Sequence, residues 1–226
     1  MSLPQLFSEP FAGIANDLLA AGAIQFGEHR LKIHRTRPDL PLSPHYFNCR
    51  SVAHPGGEGK VTPELVGRIA TLMVGSTIDA EAFDCLFAVP DGATPYAEEL
   101  GRILGIPVIR LTKRKNADGT TCVDGIEGDV SAFRGRRAIG IEDVVTSAAS
   151  SMEAVTVMTR HFFRVSDIVC VVDRQQGGYQ RLFEQNLRLR SLFTFRGLVD
   201  HFHAGKQIDR LKYETCIAYH AESSSL

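Results

Sequence analysis

These 226 residues lack most of the features that would place a chain outside the folded, soluble class. Nowhere do about eighteen apolar residues run uninterrupted, so no membrane-crossing helix is expected. Cysteine is sparse and carries no pairing pattern. Cys49, Cys85, Cys122, Cys170 and Cys216 are odd in number and widely spread, with neither a C-x-x-C pair nor zinc-like spacing. They read as reduced thiols in a reducing compartment. The formal net charge is only −1, which argues against a general affinity for nucleic acid or anionic membrane, because such partners need a clustered basic surface. Any anionic ligand must be held locally. The opening MSLPQLFSEPFAGIANDLLAAG has no basic n-region and no continuous apolar h-region, so it does not resemble a signal peptide, and a cytoplasmic location is expected. There is no internal repeat and no low-complexity tract beyond Ser223 to Ser225.

What is present suits a globular core. Apolar residues make up 44% and charged residues 23%, and the length fits one domain with a small extension. We expect residues 1–60 to form an N-terminal helix and a hood, together with parts of the C-terminus, over a core of residues 61–226. His29 to Lys60 shows no steady period and is expected to give short strands and loops over one end of that core. Cys85 to Pro90, Pro107 to Leu111, Ala138 to Val145 and Ile168 to Asp173 are short runs rich in β-branched residues, as in buried parallel strands. Helix starts fall between them at Thr62-Pro63, Thr94-Pro95 and Ser147 or Ala148. The alternation predicts an α/β fold with a doubly wound, mainly parallel sheet, whose ligands bind beyond the carboxyl ends of the strands. Asn116 to Ser131 has almost no large apolar side chain and is expected to be a mobile loop, of a length often found in lids.

The most specific pattern is RRAIGIEDVVTSAASSMEAV, Arg136 to Val155. An apolar strand runs into two carboxylates, Glu142 and Asp143, then into small and hydroxyl-bearing residues, then directly into a helix. The first N–H groups of a helix have no intrahelical partner and favour an anion. Thr146, Ser147 and Ser150 add hydroxyl donors, with Ala148 and Ala149 between them. Carboxylates repel phosphate but accept hydrogen bonds from sugar hydroxyls. A ribose phosphate satisfies both halves.

This stretch resembles the phosphoribosyl pyrophosphate motif of type I phosphoribosyltransferases, and IEDVVTS is most similar to the orotate-using members, including the orotate half of uridine monophosphate synthase. Phe26 to Lys32 followed by Ser43-Pro44-His45-Tyr46-Phe47 resembles the family's FGxFxLKSG…SPxYF region, which implies roles for Lys32 with pyrophosphate and Phe47 with the base. Lys113-Arg114-Lys115, ending in Gly125-Ile126-Glu127-Gly128, resembles its catalytic lid. Val172-Asp173-Arg174-Gln175-Gln176-Gly177-Gly178 matches its DR-x-x-GG element, whose arginine grips the orotate carboxylate in a two-pronged geometry that lysine cannot copy. Ala88 to Pro95 stands where the family has its pyrophosphate loop.

The resemblance implies transfer of phosphoribose from phosphoribosyl pyrophosphate to orotate, with Mg²⁺ held mainly by the substrate and a homodimer whose lid reaches the neighbouring site. It implies Glu142, Asp143, Arg114 and Lys115 as catalytic residues. Lys32, Lys113, Thr146, Ser147, Ala148, Ala149 and Ser150 would bind phosphoribosyl pyrophosphate, and Arg174 and Phe47 would bind orotate. Two departures stand out. Ala148 and Ala149 replace the usual glycine and hydroxyl residue, at a cost of roughly 1–2 kcal/mol if position 148 is left-handed. Asn116 to Thr120 also lacks the family's second lid lysine. A non-catalytic nucleotide-binding protein on the same fold is therefore the main alternative, and a different base is another. His201 and His203, one residue apart on an expected helix, do not share a face and are not expected to bind metal.

Overall fold

The computed structural model describes residues 6–31, 34, 37–54, 57–79 and 82–223. α1 (Phe11–Ala20) leads into an antiparallel pair, β1 (Ile24–His29) and β2 (Ser43–Phe47). α2 (Pro63–Ser76), β3 (Cys85–Ala88), α3 (Thr94–Leu104) and β4 (Val108–Ile109) follow. A second antiparallel pair, β5 (Leu111–Lys115) and β6 (Thr121–Ile126), precedes β7 (Arg137–Val145) and α4 (Ala149–Arg160). The chain closes with β8 (Arg164–Asp173), α5 (Gly178–Phe183), β9 (Arg188–Thr194), α6 (Phe195–Ala204) and α7 (Arg210–Ser223).

The central sheet has the order β4-β3-β7-β8-β9, with every pairing parallel. Successive strand residues point to opposite faces, so one buried run serves two cores. Leu86, Ile139, Ile141 and Val169 pack against Ile69 and Met73 of α2 and Leu100 of α3. Phe87, Ile168 and Cys170 face the other way, onto Val155 and Met158 of α4 and Leu182 of α5. This is the doubly wound α/β architecture expected from the alternation. From β3 the chain moves outward to β4, then returns on the other side of β3 to β7. The order reverses between β3 and β7, and the crevice beyond their carboxyl ends is where such sheets bind ligands.

The helix starts follow local chemistry. Thr62 Oγ1 accepts the Leu65 N–H at 3.2 Å, and Pro63 occupies the first helical position, where its missing N–H costs nothing. At α3 the cap is Ala93, and Thr94 is already helical, one residue off the expected start. His201 is buried: its Nδ1 accepts the Phe7 N–H and its Nε2 meets Asn16 Oδ1. That ring is a structural tie between α6 and the N-terminus.

Two expectations need correction. The run Pro107 to Leu111 is not one strand. The central sheet keeps only Val108 and Ile109, because Arg110 is exposed and ion-paired with Glu98, and Leu111 starts the β5–β6 hairpin. Asn116 to Ser131 is not loop throughout. Thr121–Ile126 is strand, since Val123 is buried in the same cluster as Val155 of α4 while Ile126 packs against it. The turn at the tip is tight: Asp118 Oδ1 accepts both the N–H and the hydroxyl of Thr120. The β1–β2 pair lies against α7, with the Cys216 thiol donating to the Pro44 carbonyl and the His45 and Tyr219 rings 5.7 Å apart.

Candidate active site

At the switch point between β3 and β7 lies a cleft of about 270 Å³. One wall is the end of β7 and the start of α4. Glu142, Asp143, Thr146, Ala148, Ala149 and Ser150 all line it. Ala148 sits in the left-handed region, φ 56° and ψ 25°, and caps α4. A Cβ there costs roughly 1–2 kcal/mol. The conformation turns the chain so that the free N–H groups at the start of α4 open onto the cleft. The turn is backed by α5, which starts so close that a side chain at Gly178 would stand 2.5 Å from the Thr146 carbonyl oxygen.

Glu142 is buried and accepts a hydrogen bond from Ser151 Oγ at 3.1 Å. Burial, and then the adjacent Asp143 carboxyl, push its pKa well above the usual carboxylate range. Such a pair accepts hydrogen bonds from hydroxyl groups and is stabilised by any positive charge that develops beside it.

The facing wall comes from the loop after β3 and from the hairpin. Pro90, Asp91 and Gly92 line the cleft, and the Pro90–Asp91 peptide is cis. A Cβ at Gly92 would fall 2.6 Å from Asp143 Oδ2, so any larger residue there would push the Asp143 carboxylate aside. From the hairpin come Lys113, whose Nζ is 3.1 Å from Asp91 Oδ2, and Thr121, Cys122 and Val123. Arg50 adds a second cation.

Arg174 follows β8, its N–H donating to the Val145 carbonyl, so it is anchored to the strand that carries the acid pair. Its side chain is only 8% exposed, and among the described residues its Nε and Nη2 have no hydrogen-bond partner. Burial lowers its pKa. It lies over the Phe47 ring, 5.9 Å from guanidinium carbon to ring centre. His45 and His220 stand close enough to Arg174 for its charge to lower their pKa values, though burial is the larger cause; His45 falls to about 3. Nε and Nη2 are thus buried beside the Phe47 ring without a partner among the described residues. A buried guanidinium with two nitrogens unpartnered among the described residues is a donor set that a planar anion satisfies.

The sequence-derived residues therefore divide. Glu142, Asp143, Thr146, Ala148, Ala149, Ser150 and Lys113 share the cleft, whereas Ser147 is exposed and its carbonyl accepts from Arg181. Arg114 is exposed and paired with Asp124, and Lys115 is exposed at the end of β5. Arg174 and Phe47 lie together but are not among the residues lining the cleft. Lys32 lies outside the described residues. Sequence reasoning missed Arg50, Ser151 and Glu153. Ser151 carried a signal, being one more hydroxyl in the same run, but Arg50 had none.

No known family model matches the chain. Individual relatives do. Orotate phosphoribosyltransferase of Methanopyrus kandleri is 31% identical over 191 residues, covering 83% of this chain and 92% of that protein. The chain belongs to the orotate phosphoribosyltransferase family. Bovine uridine 5'-monophosphate synthase is 30% identical over 74% of the chain, and the family region spans about a third of that longer protein. Among solved structures, Leishmania donovani UMP synthase superposes with a TM-score of 0.68 at 19% identity, over 95% of this chain and 43% of that one. Aeropyrum pernix orotate phosphoribosyltransferase does so with 0.63, also at 19%, over 83% and 96%. At that identity these two establish the family's fold and nothing finer.

Proposed function

We propose that this protein transfers the phosphoribosyl group of phosphoribosyl pyrophosphate to orotate, giving orotidine 5'-monophosphate and pyrophosphate. The observation that carries the reading is the acid pair Glu142–Asp143 beside a helix-start turn in one cleft, with Lys113 on the opposite wall. The C1′–oxygen bond breaks, pyrophosphate leaves with the electron pair, and the orotate ring nitrogen bonds to C1′ as its proton passes to the departing pyrophosphate. Positive charge builds on the ribose ring, so fixed charges and positioning supply the catalysis.

In this reading Thr146 to Ser150 hold the 5′-phosphate through hydroxyls and the first N–H groups of α4. Glu142 and Asp143 accept the ribose hydroxyls and favour the positive ring. Lys113, with Lys32, Arg114 and Lys115, neutralises the departing pyrophosphate, and the hairpin covers the reacting centre against water. Arg174 grips the orotate carboxylate and Phe47 packs beside it. Among the described residues no group of three or more His, Cys, Asp or Glu side chains converges as a metal site. A Mg²⁺ held mainly by the substrate would have Asp91 and Asp143 of the cleft as its protein partners, and when bound it would neutralise charge on the leaving group. The proposal includes a homodimer and a cytoplasmic location, the latter supported by five free thiols.

The non-catalytic alternative is favoured by the left-handed Ala148 and by the Asn116–Thr120 turn, which puts no lysine at the hairpin tip. One assay separates the two. The protein is mixed with phosphoribosyl pyrophosphate, Mg²⁺ and orotate, and orotate absorbance is followed. Consumption is expected. Binding of the sugar phosphate without consumption would establish the alternative.

A further inference from the structure

Strand β6 is tied to the cleft by a carboxylate from the helix beside it. The β5–β6 ladder slips register between Thr112 and Lys113, and bulges of this kind free backbone groups and re-aim side chains near active sites. The Val123 N–H donates across to Glu153 Oε2 at 2.9 Å. Glu153 lies on α4, and both residues line the cleft. The opposite strand of the hairpin carries Lys113, which meets Asp91 on the other wall. A carboxylate beside a cleft that takes a phosphorylated sugar is electrostatically unfavourable, since like charges repel. Among the described residues the one hydrogen bond that the Glu153 carboxylate accepts is from the Val123 N–H.

We propose that Glu153 is a positioning residue: by fixing Val123 it holds the part of the hairpin that borders α4 and so places Lys113 opposite Glu142 and Asp143. The inference rests on the transferase reading above. Glu153 itself touches no reacting atom in this scheme, and its effect passes through the backbone of β6.

Two variants test it, Glu153→Ala, which removes the acceptor, and Glu153→Gln, which keeps an oxygen able to accept. In the free protein the Val123 amide, followed by NMR-detected hydrogen exchange, should exchange about tenfold faster or more in the alanine variant. With substrates, the same variant should lose about tenfold or more in kcat while the KM for orotate stays within about twofold. Glutamine should restore most of both. The proposal is overturned if Val123 exchanges at an unchanged rate in Glu153→Ala, if the KM values for both substrates rise alike, or if glutamine is as impaired as alanine. Absence of turnover in the unaltered protein would sink the transferase reading and leave the exchange measurement to decide on Glu153.

Discussion

Replacing Arg174 by methionine removes a guanidinium while keeping a side chain of similar length. In the free protein the change should be tolerated. Arg174 is 8% exposed, and among the described residues two of its nitrogens are without partners and it forms no ion pair with a carboxylate. Burying an uncompensated cation is expensive, and exchanging buried charge for well-packed apolar groups is often neutral or stabilising. The melting temperature should hold or rise. Catalysis should not be tolerant. Two charge-assisted hydrogen bonds to the orotate carboxylate are worth about 1.5–3 kcal/mol each, or about 3–6 kcal/mol together, which corresponds to a loss of roughly 10²–10⁴ in kcat/KM for orotate. Arg174→Lys should recover little of it, because an ammonium cannot reproduce the planar fork. Steady-state kinetics with each substrate varied in turn would measure this. A rise in KM for phosphoribosyl pyrophosphate with orotate parameters unchanged would refute the assignment, and a steep fall in melting temperature would show Arg174 to be a structural residue.

The acid pair makes a second expectation. Burial and Asp143 hold Glu142 above its ordinary value of 4.5, so the folded state binds more protons than the unfolded one above that value, and stability declines as pH rises through the window. Glu142→Gln should therefore melt higher than the unaltered protein by a margin that grows as pH rises above 4.5, while losing activity; parallel melting curves would contradict the cause. His45 works in the other direction: its pKa is depressed from 6.5 to about 3, so its contribution is full above 6.5 and is lost as pH falls toward 3. His45→Gln should flatten the acid limb of the stability profile, by on the order of 5 kcal/mol at its foot, as followed by denaturant unfolding. Ala148→Gly relieves about 1–2 kcal/mol of left-handed strain and loses about 0.5–1 kcal/mol to chain entropy. A small gain in stability with a lower KM for phosphoribosyl pyrophosphate is expected, and a higher KM would mean that the alanine methyl aids binding.

Much of this arrangement was legible in the residues. The strands ending at Val145 and Asp173 were readable because both faces are buried, leaving unbroken β-branched runs. Glu142 and Asp143 stood out because no core strand needs two acids at its end. The conditional reading of Ala148 resolved as left-handed. The hairpin was harder, since Val123 and Ile126 are too few to announce a strand until α4 supplies the surface they pack on. Arg110 and Leu111 misled for a similar reason: an apolar run reads as one strand, and the ion pair to Glu98 that ends it lies twelve residues back. Glu153 looked like any helix-surface acid, because its partner is a backbone N–H thirty residues away. The absence of an internal partner for Arg174 likewise depends on three-dimensional packing.

The central claim is that Glu142 through Ser150 cradle a phosphorylated ribose. A crystal of the protein grown with ribose 5-phosphate tests it directly. The phosphate should lie against Thr146, Ser150 and the first N–H groups of α4, with the ribose hydroxyls on Glu142 and Asp143. Sugar phosphate bound elsewhere, with this turn empty, would contradict the account.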